Sequence, residues 1–142
     1  MMRAVAISLK IPDNEAYTAL VALRRLGVAA DRVERAQIYF FDDVSDAAAL
    51  ERRVVSDETI FNPNKHRAAV LSQARPRSGE VWIEPLDARG VTVAWRLFQD
   101  DGAPVSRGVL DMATERLLCN PAIDRAITAT SDDRDISTSA EY

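Results

Sequence analysis

Two pairs of adjacent carboxylates, Asp42-Asp43 and Asp100-Asp101, are the first residues whose type and spacing suit chemistry. A magnesium ion takes one or two carboxylates and completes its shell with water or phosphate oxygens, so either pair is a conceivable cation site. Acidic residues ahead of a helix also stabilise its positive end and favour turns, and that reading is preferred. His66 lies in the cationic stretch Asn64-Lys65-His66-Arg67 and is of a type that serves as acid, base or anion contact near neutral pH. No motif marks a nucleophile or second base beside it, which predicts a solvated loop histidine. Cys119 stands near a predicted helix C-terminus, where the dipole disfavours a thiolate, so a buried, inert thiol is expected.

Asn62-Pro63 and Asn120-Pro121 read as helix stops, each asparagine bonding exposed backbone at the helix end. Trp82 and Trp95 fall on two strands of a predicted hairpin and read as core or interface anchors, with a ligand-stacking surface as the alternative. The candidate contacts for a partner or ligand are Asn62, Lys65, His66, Arg67, Trp82, Trp95, Asn120 and Arg125. No catalytic or metal-binding residue is assigned and no cofactor is expected. One histidine and one cysteine cannot supply the usual zinc sets, and no phosphate-binding loop, dinucleotide fingerprint or nucleophile elbow is present.

The elements that must position these residues follow from periodicity. Alternation around Val5, Ile7 and Leu9 predicts a first strand. Pro12-Asp13-Asn14 offers a turn and cap, and the helical spacing of Ala16, Ala19, Leu20, Leu23 and Leu26 predicts a helix stopped by Gly27. Val33 to Phe41 is a second strand. Ser45 can cap a helix from about Asp46, with Ala47, Leu50 and Val54 on its apolar stripe, which must be finished by the residue before Pro63. Lys65 to Gln73 leads into a third strand, and Arg75 to Gly79 reads as a linker. Val81 to Leu86 and Val91 to Phe98 form a hairpin. Ser106 caps a helix bearing Leu110, Ala113 and Leu117 that ends before Pro121, and a last strand runs from Ile123 to Thr130. The polar segment from Ser131 to Tyr142 has little to bury and is expected to fray.

An offset of 58 residues lays Phe40-Phe41-Asp42-Asp43 on Phe98-Gln99-Asp100-Asp101, Asn62-Pro63 on Asn120-Pro121, and Arg67-Ala68 on Arg125-Ala126. The expected class is therefore α/β (α+β), a duplicated βαβαβ unit whose second copy has lost its first helix. The expected organisation is a first repeat over 1–73, a linker over 74–80, a truncated second repeat over 81–130 and a tail over 131–142. The lost helix predicts an exposed face or edge near Trp82 and Trp95.

The run Ala22-Leu23-Arg24-Arg25-Leu26-Gly27-Val28, the following Asp31-Arg32-Val33, and Glu115-Arg116-Leu117-Leu118-Cys119-Asn120-Pro121-Ala122-Ile123 carry a family resemblance. The chain resembles the PurS-type small subunit of phosphoribosylformylglycinamidine synthase, and the related N-terminal domain of its single-chain forms. The resemblance covers 3–72 by organisation and 105–130 by motif. It implies a ferredoxin-like fold and a non-catalytic bridging role between synthetase and glutaminase subunits in purine biosynthesis. It departs from the family in its short loop Ile11-Pro12-Asp13-Asn14, where a Gly- and Pro-rich loop is typical, and in its greater length.

Composition narrows the remaining classes. Hydrophobic residues make up 47% and charged residues 28%, the balance of a chain that folds. A net charge of −4, without long blocks of one sign, gives no footprint for nucleic acid or an anionic membrane. No apolar stretch is long enough to span a bilayer, Met1 to Lys10 lacks a signal-peptide core, and a lone cysteine fits a reducing compartment, so a cytoplasmic location is expected. Free sheet edges would favour a homo-oligomer or larger assembly. The alternative functions are a ferredoxin-like regulatory domain that binds a small ligand between the copies, and a metal-dependent enzyme using the acidic pairs.

Overall fold

The structure, a computed structural model, describes residues 2–42, 46–87 and 89–129. Asp43, Ser45, Thr130 and the 131–142 segment discussed above lie outside the described residues. Strand β1 (Met2–Leu9) is followed by helix α1 (Asn14–Arg25), β2 (Arg32–Asp42), α2 (Ala47–Val55) and β3 (His66–Val70). Then come β4 (Glu80–Pro85), β5 (Thr92–Phe98), α3 (Arg107–Ala113), a π-helical turn (Thr114–Leu118) and β6 (Asp124–Thr128). The class is mixed α+β. All six strands form one antiparallel sheet in the order β3-β1-β2-β5-β4-β6.

Local chemistry sets the element ends. Asp13 caps α1 by accepting from the Glu15 and Ala16 N–H groups at 3.0 and 3.2 Å. Gly27 takes the left-handed conformation, φ 85°, that closes the helix. α2 is capped by Asp46, which accepts from the Ala49 N–H at 2.8 Å. It ends at Val55, well short of Pro63: Asp57 Oδ1 accepts from the Thr59 hydroxyl and N–H at 2.6 and 3.0 Å, and this local turn competes with the helix. Those two bonds hold the Asp57 carboxyl below its usual pKa. Ser106 caps α3 as expected, but the helix widens into a π turn in which the Cys119 N–H reaches the Thr114 carbonyl at 3.0 Å.

Alternation along the strands divides the sheet into two unlike faces. On the helix face, α2 buries Leu50 and Val54 against Val5, Ile7 and Phe61. α1 sends Ala16 and Leu23 into a core with Val33, Val81, Ile83 and Leu97, shared with Leu110 and Ala113 of α3. α1 therefore shares one core with strands on both sides of the β2–β5 seam. The opposite face is floored by Ala4, Ala6, Ala36 and Ala94, flanked by Ile38, Trp82 and Ile127.

The connection from β3 to β4 must pass from an edge strand across β1, β2 and β5, a distance of about 19 Å at the usual strand spacing. Residues 71–79 make that crossing over the alanine floor, which leaves room for them. Leu71 is buried among the alanines and its N–H donates to the Ala4 carbonyl at 2.9 Å. At the far end, Glu80 is only 2% exposed and is held by Arg77, which donates its backbone N–H at 2.8 Å and its Nε and Nη2 at 3.1 and 3.0 Å. Gly79 has φ +72° and lies so close to Pro104 that a Cβ there would fall 2.8 Å from the proline Cβ. Only glycine fits both conditions.

This strap overturns the expectation of an exposed face near the tryptophans, while Trp82 is the core anchor it was read as. Trp82 is 2% exposed, its ring packed edge-on to Phe40 at 5.7 Å between centroids. Trp95 lies on the other face, half-buried beside the α1–α3 core. Among the described residues no helix is long and apolar enough to cross a membrane.

If the Arg77–Glu80 clasp holds the strap, Arg77→Ala should lower the unfolding free energy by about 3 kcal/mol, because it leaves a buried carboxylate unpaired. Adding Glu80→Leu should recover a large part of that loss in urea denaturation. A loss under about 0.5 kcal/mol, the range of ordinary surface substitutions, would count against the clasp.

Candidate functional site

β1 and β2 pair from Met2↔Asp42 to Ile7↔Gln37 and no further, whereas β2 continues along β5 to Arg32↔Phe98. β2 thus leaves β1 as it follows β5, and a cleft of about 390 Å³ opens between them. Its floor is Ala6, Ala36, Ala69 and Ala94, and its walls carry Arg35, Arg67, Arg77 and Arg96 with Asp13, Glu34 and Glu80. The size falls within the range of small-molecule sites.

The charges in this cleft are unevenly matched. Arg35 reaches Glu15 at 2.9 Å and Asp13 at 3.9 Å, and its guanidinium sits 5.7 Å from the centre of the Trp95 ring. Its Nε is buried and without a hydrogen-bond partner among the described residues. Glu80 is taken by Arg77, and Glu34 pairs with Arg32. Arg96 donates Nε to the Ser78 carbonyl at 3.0 Å and lies over Phe98, but contacts no carboxylate among the described residues. Burial and the neighbouring Arg77 cation push its pKa down, against the opposing pull of Glu80 and Glu34. Arg67, exposed on β3, has no carboxylate partner among the described residues either.

Of the residues singled out from sequence, only Arg67 borders this cleft. Asn62, Lys65 and His66 build the turn that enters β3. Asn62 Oδ1 accepts from the Asn64 N–H at 2.9 Å, and its own N–H donates to His66 Nδ1 at 2.9 Å. His66 is thus a half-buried part of β3 packed on the Phe61 ring, where a solvated loop histidine was expected. Asn62 stops a turn, since α2 ended seven residues earlier at Val55. Asn120 repeats the arrangement: Oδ1 accepts from the Ala122 N–H at 3.1 Å and its N–H donates to Asp124 at 3.3 Å. Arg125 pairs with Glu84 on the neighbouring strand.

The acidic pairs also find structural work. Asp101 accepts from the Ala103 N–H at 2.9 Å in the turn after β5, and Asp42 ends β2. Asp42, Asp100 and Asp101 are not the caps of α2 or α3, whose cap positions are taken by Asp46 and Ser106. No group of three or more His, Cys, Asp or Glu able to hold a metal occurs among the described residues. Arg35, Arg77, Arg96 and Glu80 carried no sequence signal, since arginines in alternating strands read as ordinary solvent-facing residues.

No known family model matches the chain, and no curated protein matches it in sequence.

Cys119 follows the π turn and is partly buried; burial, then the Asp124 carboxylate, raises its thiol pKa. At pH 8 a smaller fraction is therefore thiolate than in free cysteine. Alkylation by iodoacetamide should be slower than for a model thiol, with the rate rising at higher pH than usual. A rate at pH 8 equal to or above the model thiol's would contradict this placement.

Proposed function

We propose that this chain is a non-catalytic bridging subunit of the PurS type, built from a diverged duplication and joining a synthetase to a glutaminase. Its strand order supports the duplication: β3-β1-β2 on one side of the sheet corresponds to β6-β4-β5 on the other. β3, His66–Val70, lies 58 residues before β6, Asp124–Thr128, and Ala36 pairs across the seam with Ala94, again 58 residues on. A pseudo-twofold axis through that pair would exchange the halves.

The observation that carries the bridging reading is what such a pseudo-symmetric chain presents at its two ends. A symmetric dimer must offer the same surface twice. In the first half the Lys10 N–H donates to the Lys65 carbonyl at 2.7 Å; in the second, the Leu86 N–H donates to the Ile123 carbonyl at 2.8 Å. The same backbone link therefore carries two lysines at one end of the sheet and two apolar residues, each 60% exposed, at the other. Exposed apolar side chains beside a sheet end are contact surface for another protein. One chain with a cationic end and an apolar end suits two different partners, as a bridge requires.

A tagged chain captured from extract of its own cells should recover a glutamine amidotransferase subunit and an ATP-dependent synthetase, identified by mass spectrometry. Leu86→Lys with Ile123→Lys should lose one of them and keep the other, while Lys10→Glu with Lys65→Glu should do the reverse. Recovery of neither enzyme, or loss of both with a single pair of substitutions in a folded chain, would overturn the reading.

A further inference from the structure

We infer that the cleft between β1 and β2 is a binding site for a small molecule carrying a carboxylate or phosphate group, held between Arg67 and Arg96. This site is separate from the two sheet ends proposed as partner surfaces. The cleft has the volume for such a ligand, about 390 Å³, and a floor of alanines that leaves it open above the sheet. Its four arginines outnumber its three acids, and the acids are already engaged: Asp13 with Arg35 and the α1 backbone, Glu34 with Arg32, Glu80 with Arg77.

Arg67 and Arg96 enter from different strands, β3 and β5, on either side of the splay. A guanidinium stays charged at any accessible pH and presents a planar fork of donors that matches the oxygen spacing of carboxylates and phosphates. Arg96 is positioned for this: its guanidinium lies over the Phe98 ring, its Nε is fixed on the Ser78 carbonyl, and its remaining donors have no carboxylate among the described residues. It is also partly buried next to Arg77, an arrangement that an added anion relieves. Arg35, at the α1 side of the cleft, has a buried Nε with no hydrogen-bond partner among the described residues, which is unusual enough in a folded protein to ask for one. The strap end forms the remaining wall through Leu71 and Arg77, so strap and ligand share a surface.

Isothermal titration of the full chain with sodium phosphate, and separately with glutarate, at low ionic strength tests the site. Saturable one-site binding of either probe is expected, phosphate alone marking a phosphoryl ligand and glutarate alone a carboxylate. Arg67→Gln and Arg96→Gln should each weaken that binding at least tenfold. Arg96→Lys, which keeps the stem and charge but loses the fork, should weaken it too, and Arg24→Gln, on a surface pair with Asp31, should leave it unchanged. Among the described residues the Arg67 side chain makes no bond that its replacement would break, so its unfolding midpoint should match the wild type and keep the result interpretable. Absence of saturable heat with both probes, or equal binding by folded Arg67→Gln, overturns the proposal.

Discussion

The antiparallel ladder between β2 and β5 is the constraint on which the rest of the structure depends. It runs from Arg32↔Phe98 to Ile38↔Thr92 and turns two groups of three strands into a single sheet. With β2 committed to β5 along this stretch, it cannot also stay on β1, and the cleft follows. With the two groups side by side, α1 shares one core with α3 and the strands on both sides of the seam, so the second group needs no counterpart of α1 between β4 and β5. With the sheet this wide, the β3–β4 connection must cross a face, and that face is lined with alanine at the crossing. Ala36 and Ala94 meet at the centre of the ladder and form part of the cleft floor, where larger side chains would fill the cleft.

Much of this was legible in the sequence because it rests on local signals. The strands at Val5, Ile7 and Leu9 and at Val33 to Phe41 alternate clearly, and Asp13, Gly27 and Ser106 mark helix ends by type. The repeat offset anticipated β6 from β3. What the offset does not carry is the register of the inner pairs. Val5 faces Tyr39 in the first group, whereas Val81 faces Trp95 in the second, two residues from Leu97, the position the offset implies. An even shift keeps every side chain on its own face, so hydrophobic patterning is blind to it.

The misread features share a cause. Asn-Pro was taken as a helix stop, yet the preceding helix had already been ended by the Asp57 turn, whose strength lies in two bonds to Thr59. An exposed face was expected near Trp82, itself read as a core or interface anchor, because the strap that covers that face is a polar, proline-containing segment without periodicity. The arginines of the cleft converge only because the strands splay, and splaying is a property of the whole sheet. Local chemistry was readable, and long-range closure was not.

Native-state amide hydrogen exchange addresses the central claim, that the β2–β5 ladder fuses the two groups into one cooperative sheet. The ladder amides of β2 and β5, such as those between Val33 and Gln37 and between Val93 and Leu97, should exchange only through global unfolding and rank with the slowest in the chain. The outer strands β3 and β6 should exchange faster. If the β2–β5 amides instead exchange well ahead of those in the β1–β2 and β4–β5 ladders, the two groups open independently, and the account of a single sheet with two unlike ends fails.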